Sequence, residues 1–233
     1  MSWHINERDF FLSEQKYVGH NFSDLHFKEQ SEFIVLIGSL GFSASFMNYP
    51  IEDTYKVNIF FPKDYPKSIP FTKEMGSRID HSFHTNSDGT LCLGVPLEIY
   101  NKFQRKPCFH TYIETLLVPF LYSDSYFEKF GKMPWGGSAH GTNGVLHYYQ
   151  NLFHTNDARI IVEILDLLFH DKYKGRGSCP CNSKKALMDC HGLPILSSMK
   201  FPKNILKQDI ASLRNIVNGN TPKTTKKAGY ILS

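Results

Sequence analysis

The chemistry-bearing residues cluster in two places. The first is Cys179-Pro180-Cys181-Asn182-Ser183-Lys184-Lys185-Ala186-Leu187-Met188-Asp189-Cys190-His191. Cys179, Cys181, Cys190 and His191 are soft metal ligands with the spacing C-x-C-x8-C-H. Three thiolates and one imidazole match a closed tetrahedral Zn2+ site, with no position left open for water. The chemistry expected is structural: the ion folds the segment and takes no part in a reaction. Three of the chain's five cysteines fall here, which argues against chance clustering. Asn182, Lys184 and Lys185 suit a tight, solvated knuckle between the two halves.

The second cluster is His81-Ser82-Phe83-His84-Thr85-Asn86-Ser87-Asp88-Gly89-Thr90-Leu91-Cys92-Leu93. Asp88-Gly89 is a turn signal. A cysteine nucleophile needs donors that stabilise a tetrahedral oxyanion, and His or Asn can supply them. The competing reading makes Cys92, between two leucines, a buried core thiol. Upstream, Phe61-Pro62-Lys63-Asp64-Tyr65-Pro66-Lys67-Ser68-Ile69-Pro70 places three prolines after a strand, which stiffens an extended turn. Cys108 follows Arg105-Lys106-Pro107 and precedes Phe109-His110. The basic neighbours favour its thiolate, so a Cys108–His110 hydrolase pair is a minor alternative. His140, flanked by glycines near Trp135, either lines the Cys92 groove or packs structurally.

Elements must position these groups. Asp24 to Leu40 reads as an amphipathic helix, with Phe33, Leu36, Ile37 and Leu40 at helical spacing and Gly41 ending it. Phe42 to Met47 alternates weakly as a strand. Thr54 to Phe61 alternates clearly, with Tyr55, Val57, Ile59 and Phe61 on one face. Residues 48–53 supply the turn between them. Residues 71–95 read as a short strand and then a long polar segment ending at Cys92. Ile113, Leu116, Leu117 and Phe120 form an apolar helix face that Pro119 limits. Ile160, Ile161, Ile164, Leu165 and Leu168 form another, with Asp157 near its start. Ile205 to Val217 reads as one more short helix. The fold class expected is α+β with an antiparallel sheet.

At 233 residues the chain has room for one ordinary domain and an appendage. We expect a main body over 1–170, a knuckle over 171–192 and a basic C-terminal tail over 193–233. Residues 1–170 carry 14 basic and 19 acidic side chains, and residues 171–233 carry 12 and 3. A basic tail on an acidic body points to an anionic partner, or to a solubilising end. The apolar runs are too short to span a bilayer, and Met1 to Glu7 lacks a signal-peptide layout. An odd cysteine count with metal spacing argues against a disulfide scaffold and for the cytoplasm.

The pattern Phe61-Pro62-x-x-Tyr65-Pro66-x-x-x-Pro70, followed by His84-x-Asn86…Asp88-Gly89-x-Leu91-Cys92-Leu93, resembles the ubiquitin-conjugating enzyme family over roughly Asp24 to Phe120. The resemblance implies a UBC-like antiparallel meander with a leading helix and C-terminal helices. It implies that Cys92 carries a ubiquitin-like protein, or another protein C-terminus, as a thioester and passes it to an amine of a lysine-bearing target. Thr85 stands where the family's His-Pro-Asn motif has proline, and the Asn86-to-Cys92 segment is about two residues shorter. His84 therefore lies at the separation from the cysteine where the family's asparagine stands. Either His84 or Asn86 is the donor, and Asp88 either orients the lysine or serves the turn.

The shorter loop, with Tyr122-Ser123-Asp124-Ser125-Tyr126-Phe127, Pro134-Trp135-Gly136-Gly137-Ser138-Ala139-His140-Gly141 and Gly144-Val145-Leu146-His147-Tyr148-Tyr149, is similar to bacterial members in antiphage operons, including the CBASS type. There the acyl group can be the C-terminus of a CD-NTase nucleotidyltransferase. The chain shows no ATP-binding glycine loop, so activation would come from a separate activating enzyme or from direct capture of an acyl-protein. The knuckle resembles the SEC-C zinc motif, with its Cys-Gly-Ser-Gly-Lys core altered to Cys181-Asn182-Ser183-Lys184. That implies a protein- or nucleic-acid-docking appendage. Two other readings stand beside the enzyme: a scaffold that recruits partners through the knuckle, and a nucleic-acid binder driven by the basic tail. The intact Cys92 favours the enzyme, and the tail lacks the interleaved aromatic and basic stripe of a reading surface.

Overall fold

The computed structural model describes residues 3–30, 33–79, 84–86, 88–134 and 141–219. The candidate residues His81, Trp135 and His140, and the last part of the expected tail, 220–233, lie outside the described residues. The chain packs as two units, Met1–Gly94 with Ile99–Gly137, and Val95–Glu98 with Ser138–Ser233.

The first unit opens with helices α1, Trp3–Asn6, and α2, Arg8–Asn21. A four-stranded antiparallel meander follows in the order β1-β2-β3-β4, formed by Leu25–Gln30, Phe33–Phe46, Tyr49–Phe61 and Phe71–Glu74. The leading helix is thus α2, and the helix expected over 24–40 is instead β1 and the first half of β2. Two physical causes overturn the helical spacing. Ile34, Val35 and Ile37 are β-branched and stiff at χ1, which favours the pleated sheet. Gly38 has a φ of 141°, and a Cβ there would lie 1.8 Å from the Asp24 carbonyl oxygen. Glycine is required where the strands approach so closely, and a helix interior disfavours it. Period two then holds: Ile34, Leu36 and Leu40 are buried on the face shared with Tyr55, Val57, Ile59 and Phe61.

The turn between β2 and β3 is also tighter than expected. Met47 and Asn48 both have positive φ, 47° and 65°. This is the two-residue hairpin geometry whose twist matches the strands it joins. Pro50 to Asp53 therefore belong to β3.

α3, Pro96–Phe103, leads to a continuous helical run: α4, Phe109–Tyr112, a π turn, Ile113–Leu117, and α5, Val118–Phe130. Pro119 does not end this run. Proline lacks a donor and clashes with the carbonyl four residues back, and the wider π turn just before it re-registers the ladder. Phe109, Tyr112, Ile113, Leu116, Leu117 and Leu121 are buried in one core with Phe11 and Val18 of α2 and the inner face of the sheet. Glu14 of α2 is 3% exposed in that core. Its carboxylate accepts from Tyr65 Oη at 2.7 Å and Phe109 N at 3.0 Å, tying α2 to the proline-rich loop and to the start of α4. Burial raises the Glu14 pKa against the lowering effect of those two hydrogen bonds.

The second unit holds α6, Gly141–Phe153, α7, Ala158–Phe169, the knuckle, α8, Gly192–Ser198, and α9, Lys203–Val217. Asp157 caps α7 as expected, accepting from Arg159 N at 2.8 Å. α9 packs on α6 and α7 through Leu206, Ile210 and Leu213. The boundary expected at 170/171 thus falls inside this unit, and the described part of the expected tail is helical and packed. Arg214 pairs with Asp166 at 2.6 Å, and Lys203 caps the α7 carbonyls of Leu168 and Phe169. Among the described residues, no helix is long and apolar enough to cross a membrane.

Candidate functional site

Cys92 sits on a short hairpin anchored to the sheet edge. Leu91 N donates to the Thr72 carbonyl of β4 at 2.8 Å. Thr85 and Leu91 form an antiparallel bridge, so His84 lies directly across from Cys92, and Cys92 N donates to the His84 carbonyl at 2.6 Å. Cys92 is half-buried, neither sealed in the core nor fully solvated. His84 has a φ of 43° and sets its ring edge-on to Phe120, with centroids 6.4 Å apart.

The rest of the hairpin is occupied with holding its own shape. Asn86 Nδ2 donates to Thr90 Oγ1 at 3.0 Å, and Thr90 Oγ1 donates to Asp88 Oδ1 at 2.6 Å. Asp88 also accepts from Thr90 N at 3.0 Å. These bonds hold its carboxyl below the usual carboxylate range, the Thr90 side chain being the main cause. Gly89 turns the chain with a φ of 81°. Of the three polar candidates, the structure pairs the His84 backbone with that of Cys92 and sets its ring on Phe120, and it engages Asn86 and Asp88 in the turn. Thr90, the hub of those bonds, carries no signal in the sequence beyond its place after Asp-Gly.

Cys108 and His110 have separate partners. Cys108 Sγ is 3.4 Å from Thr111 Oγ1, and His110 Nδ1 is 2.8 Å from Tyr17 Oη on α2. The hydrolase pairing is not what the geometry favours.

Beside the hairpin lies a cleft of about 430 Å³, whose lining includes Glu74, Arg78, Thr85, Gly89 and Leu91. Arg78 is the centre of a polar network that no sequence pattern marks. Its guanidinium grips Asp53 at 2.7 and 2.6 Å and Glu128 at 3.1 and 2.5 Å, and it stacks 4.2 Å from the Tyr55 ring centroid. Tyr55 Oη in turn donates to Asp124 Oδ2 at 2.9 Å. Hydrogen bonding from Arg78 is the main cause that holds Asp53 down to about 2. Burial is the main cause that pushes Asp124 up to about 6. The partners come from β3, the loop after β4 and α5, so their sequence separation hides them.

The knuckle brings its four expected ligands together. Ser178 and Ala186 form a bridge, and Cys179 N donates to the Lys185 carbonyl at 3.1 Å, closing a small loop that presents Cys179 and Cys181. Asn182 and Lys184 have positive φ, 57° and 60°. Asparagine tolerates that conformation better than most residues. A 3-10 turn, Leu187–Asp189, then presents Cys190 and His191.

The ligand atoms, three Sγ and one His191 nitrogen, all lie within 4.8 Å of one another. Cys179 to Cys181 is 3.3 Å, Cys181 to Cys190 is 3.4 Å, and His191 Nδ1 is 3.1 and 3.3 Å from Cys179 and Cys190. Zn–S bonds of about 2.3 Å imply tetrahedral edges of roughly 3.7 Å. The residues present therefore fit a metal ion, with these four edges somewhat shorter than ideal. Burial pushes the Cys179 thiol up to about 11, and the Ser183 side chain draws Cys181 down to about 6.

Comparison with known proteins finds no matching family model, no matching curated protein and no matching solved structure. What the chain does must be argued from its own residues.

Proposed function

We propose that the protein is a conjugating-enzyme-like acyltransferase with Cys92 as nucleophile. The observation that carries this reading is a half-buried thiol on a hairpin pinned to the sheet edge, with the His84 backbone paired across from it. The order of elements and the proline loop before the hairpin agree with the resemblance to ubiquitin-conjugating enzymes. The Cys92 thiolate attacks the thioester carbonyl of a donor, and the donor thiol leaves. In the second half, a lysine amine attacks the Cys92 thioester. The tetrahedral oxyanion collapses, the Cys92 thiolate leaves, an amide forms, and the amine proton passes to water or a base.

His84, whose backbone lies across from Cys92, is the oxyanion donor in this reading, with Asn86, one of whose amide hydrogens serves the turn, as the alternative. Such a donor must point at the developing charge and not at the ground-state carbonyl. The acyl group is a ubiquitin-like protein or the C-terminus of a CD-NTase nucleotidyltransferase, with a separate activating enzyme where one is needed. The setting is bacterial antiphage defence, in the cytoplasm. Zn2+ bound by Cys179, Cys181, Cys190 and His191 supplies folding energy to the knuckle.

The test is intact mass after incubation with candidate modifiers, activating enzyme and ATP. The expected product is a reductant-labile adduct mapping to Cys92. An adduct on Cys108, or none with either class of donor, would leave the scaffold reading in its place.

A further inference from the structure

The second unit leaves an apolar face exposed beside the knuckle. α8 buries Gly192, Ile195 and Ser198, and packs against α6, α7 and the 3-10 turn that precedes it. Its other side carries Leu193, Leu196 and, at the C-cap, Met199, which are 79%, 47% and 48% exposed. Met188, in the adjoining 3-10 turn, is 55% exposed. Apolar side chains scattered singly over a surface are ordinary, but Leu193, Leu196 and Met199 recur at helical spacing on one side of α8, with Met188 exposed in the abutting turn.

The surroundings are basic. Lys184 and Lys185, just before the 3-10 turn, and Lys200, next after Met199, are exposed, against one exposed acid in this stretch, Asp189. Residues 171–219 carry nine basic and three acidic side chains, and one of those acids, Asp209, is buried against Tyr149.

We propose that this face is a docking surface for an acidic amphipathic helix of a partner protein. The partner's apolar stripe seats on Leu193, Leu196, Met199 and Met188, and carboxylates along its edges meet Lys184, Lys185 and Lys200. Charge complementarity selects the acidic partner and rejects a basic one. Methionine side chains adapt to varied apolar stripes. A nucleic acid would satisfy the lysines and leave the leucines uncovered. A bilayer would demand more apolar area than one seven-residue helix presents. His191, a metal ligand in this reading, is also the N-cap residue of α8, so the ion holds the start of the helix and docking follows metal content. The inference stands independently of any chemistry at Cys92.

The test uses the full, zinc-loaded chain and fluorescent five-turn peptides read by anisotropy. One peptide carries a leucine stripe with glutamates elsewhere. A twin has lysine for glutamate, and a third has serine for leucine. The leucine–glutamate peptide is expected to bind saturably, the other two weakly, and chelation to abolish binding. Leu193→Ser with Leu196→Ser should weaken binding roughly tenfold or more. Lys185→Glu with Lys200→Glu should weaken it and flatten its salt dependence. Metal content and far-UV circular dichroism establish that each variant is folded. If the leucine variant loses its metal, the lysine variant alone decides.

The proposal is overturned if the leucine–glutamate peptide does not bind, or if the lysine twin binds as well. It is overturned if folded variants bind unchanged. Binding to phosphatidylglycerol vesicles without peptide binding would assign the face to a membrane. A dimer of the native chain that Leu193→Ser with Leu196→Ser dissolves would assign it to a second copy.

Discussion

Arg78 offers the sharpest test of how the first unit is held together. Arg78→Met keeps most of the apolar stem over Tyr55 and removes the guanidinium from Asp53 and Glu128. Asp53 is held down from 3.8 to about 2, chiefly by that guanidinium. A difference of roughly two units corresponds to about 2.5 kcal/mol, and solvent screening at this partly exposed pair halves it to about 1.2 kcal/mol. The lost stacking of a cation on Tyr55 adds about 0.5–1 kcal/mol. Glu128, the most exposed of the three partners, adds less. The sum, about 2 kcal/mol, corresponds to a Tm lower by roughly 5 °C.

The sign with pH follows from a depressed carboxylate pKa. The stabilisation is full above the ordinary value of 3.8 and is lost as pH falls through about 2. Urea unfolding of both proteins at neutral pH and near pH 3 measures it. The gap between them should be widest at neutral pH and narrow in acid. A gap below about 0.5 kcal/mol at neutral pH, or one that widens in acid, would refute the reasoning.

Three further outcomes are expected. Asp124, pushed up to about 6 by burial, should be most favourable to the fold while protonated, so its contribution is full below 3.8 and is lost as pH rises through about 6. Asp124→Asn, which keeps an acceptor for Tyr55, should flatten stability across that window, so that it gains about 1–2 kcal/mol on the native chain between pH 4 and pH 8; a chemical-denaturation series across pH checks this. Glu14→Ala should leave Tyr65 Oη and Phe109 N without their buried partner and cost roughly 2–4 kcal/mol in the same assay; a loss under 1 kcal/mol would show that water replaces the carboxylate. In the knuckle, one zinc per chain is expected by metal analysis, and chelation or Cys190→Ser should abolish amide protection over 178–191 while the sheet stays protected. Because the ligands bind deprotonated, zinc affinity should fall as pH falls.

The parts of the molecule legible in the sequence were those whose signal is local. The knuckle's ligands lie within thirteen residues, so spacing alone assembled them. The alternation from Tyr55 to Phe61, the stripe of α7 with its Asp157 cap, and the helix near Ile205 each repeat within one element. β1 and β2 were hidden because Phe33, Leu36, Ile37 and Leu40 satisfy a helical period as well as a strand. The deciding fact, the close approach of Asp24 to Gly38, is a cross-strand contact. α6, rich in glycine and polar residues, has a weak periodic signal and owes its burial to α9, α7 and α8 together. Pro119 misled because a π turn is a tertiary accommodation that no single-residue preference reveals. The Arg78 network, drawn from positions 53, 55, 78, 124 and 128, has no spacing to read.

The central claim is that Cys92 carries an acyl group, and one measurement bears on it most directly. Native chain, Cys92→Ser and Cys108→Ser are loaded with the same donor, and the adduct is followed with and without thiol reductant. The native and Cys108→Ser adducts should be thioesters that reductant cleaves. The Cys92→Ser adduct should be an ester that accumulates and survives, since an ester is the poorer acyl donor to amines. Within the same assay His84→Ala should slow transfer by roughly 100- to 1000-fold, and Asn86→Ala much less. Transfer by Cys92→Ser at the native rate, with unchanged sensitivity to reductant, would contradict the acyltransferase and leave a scaffold built around a zinc knuckle.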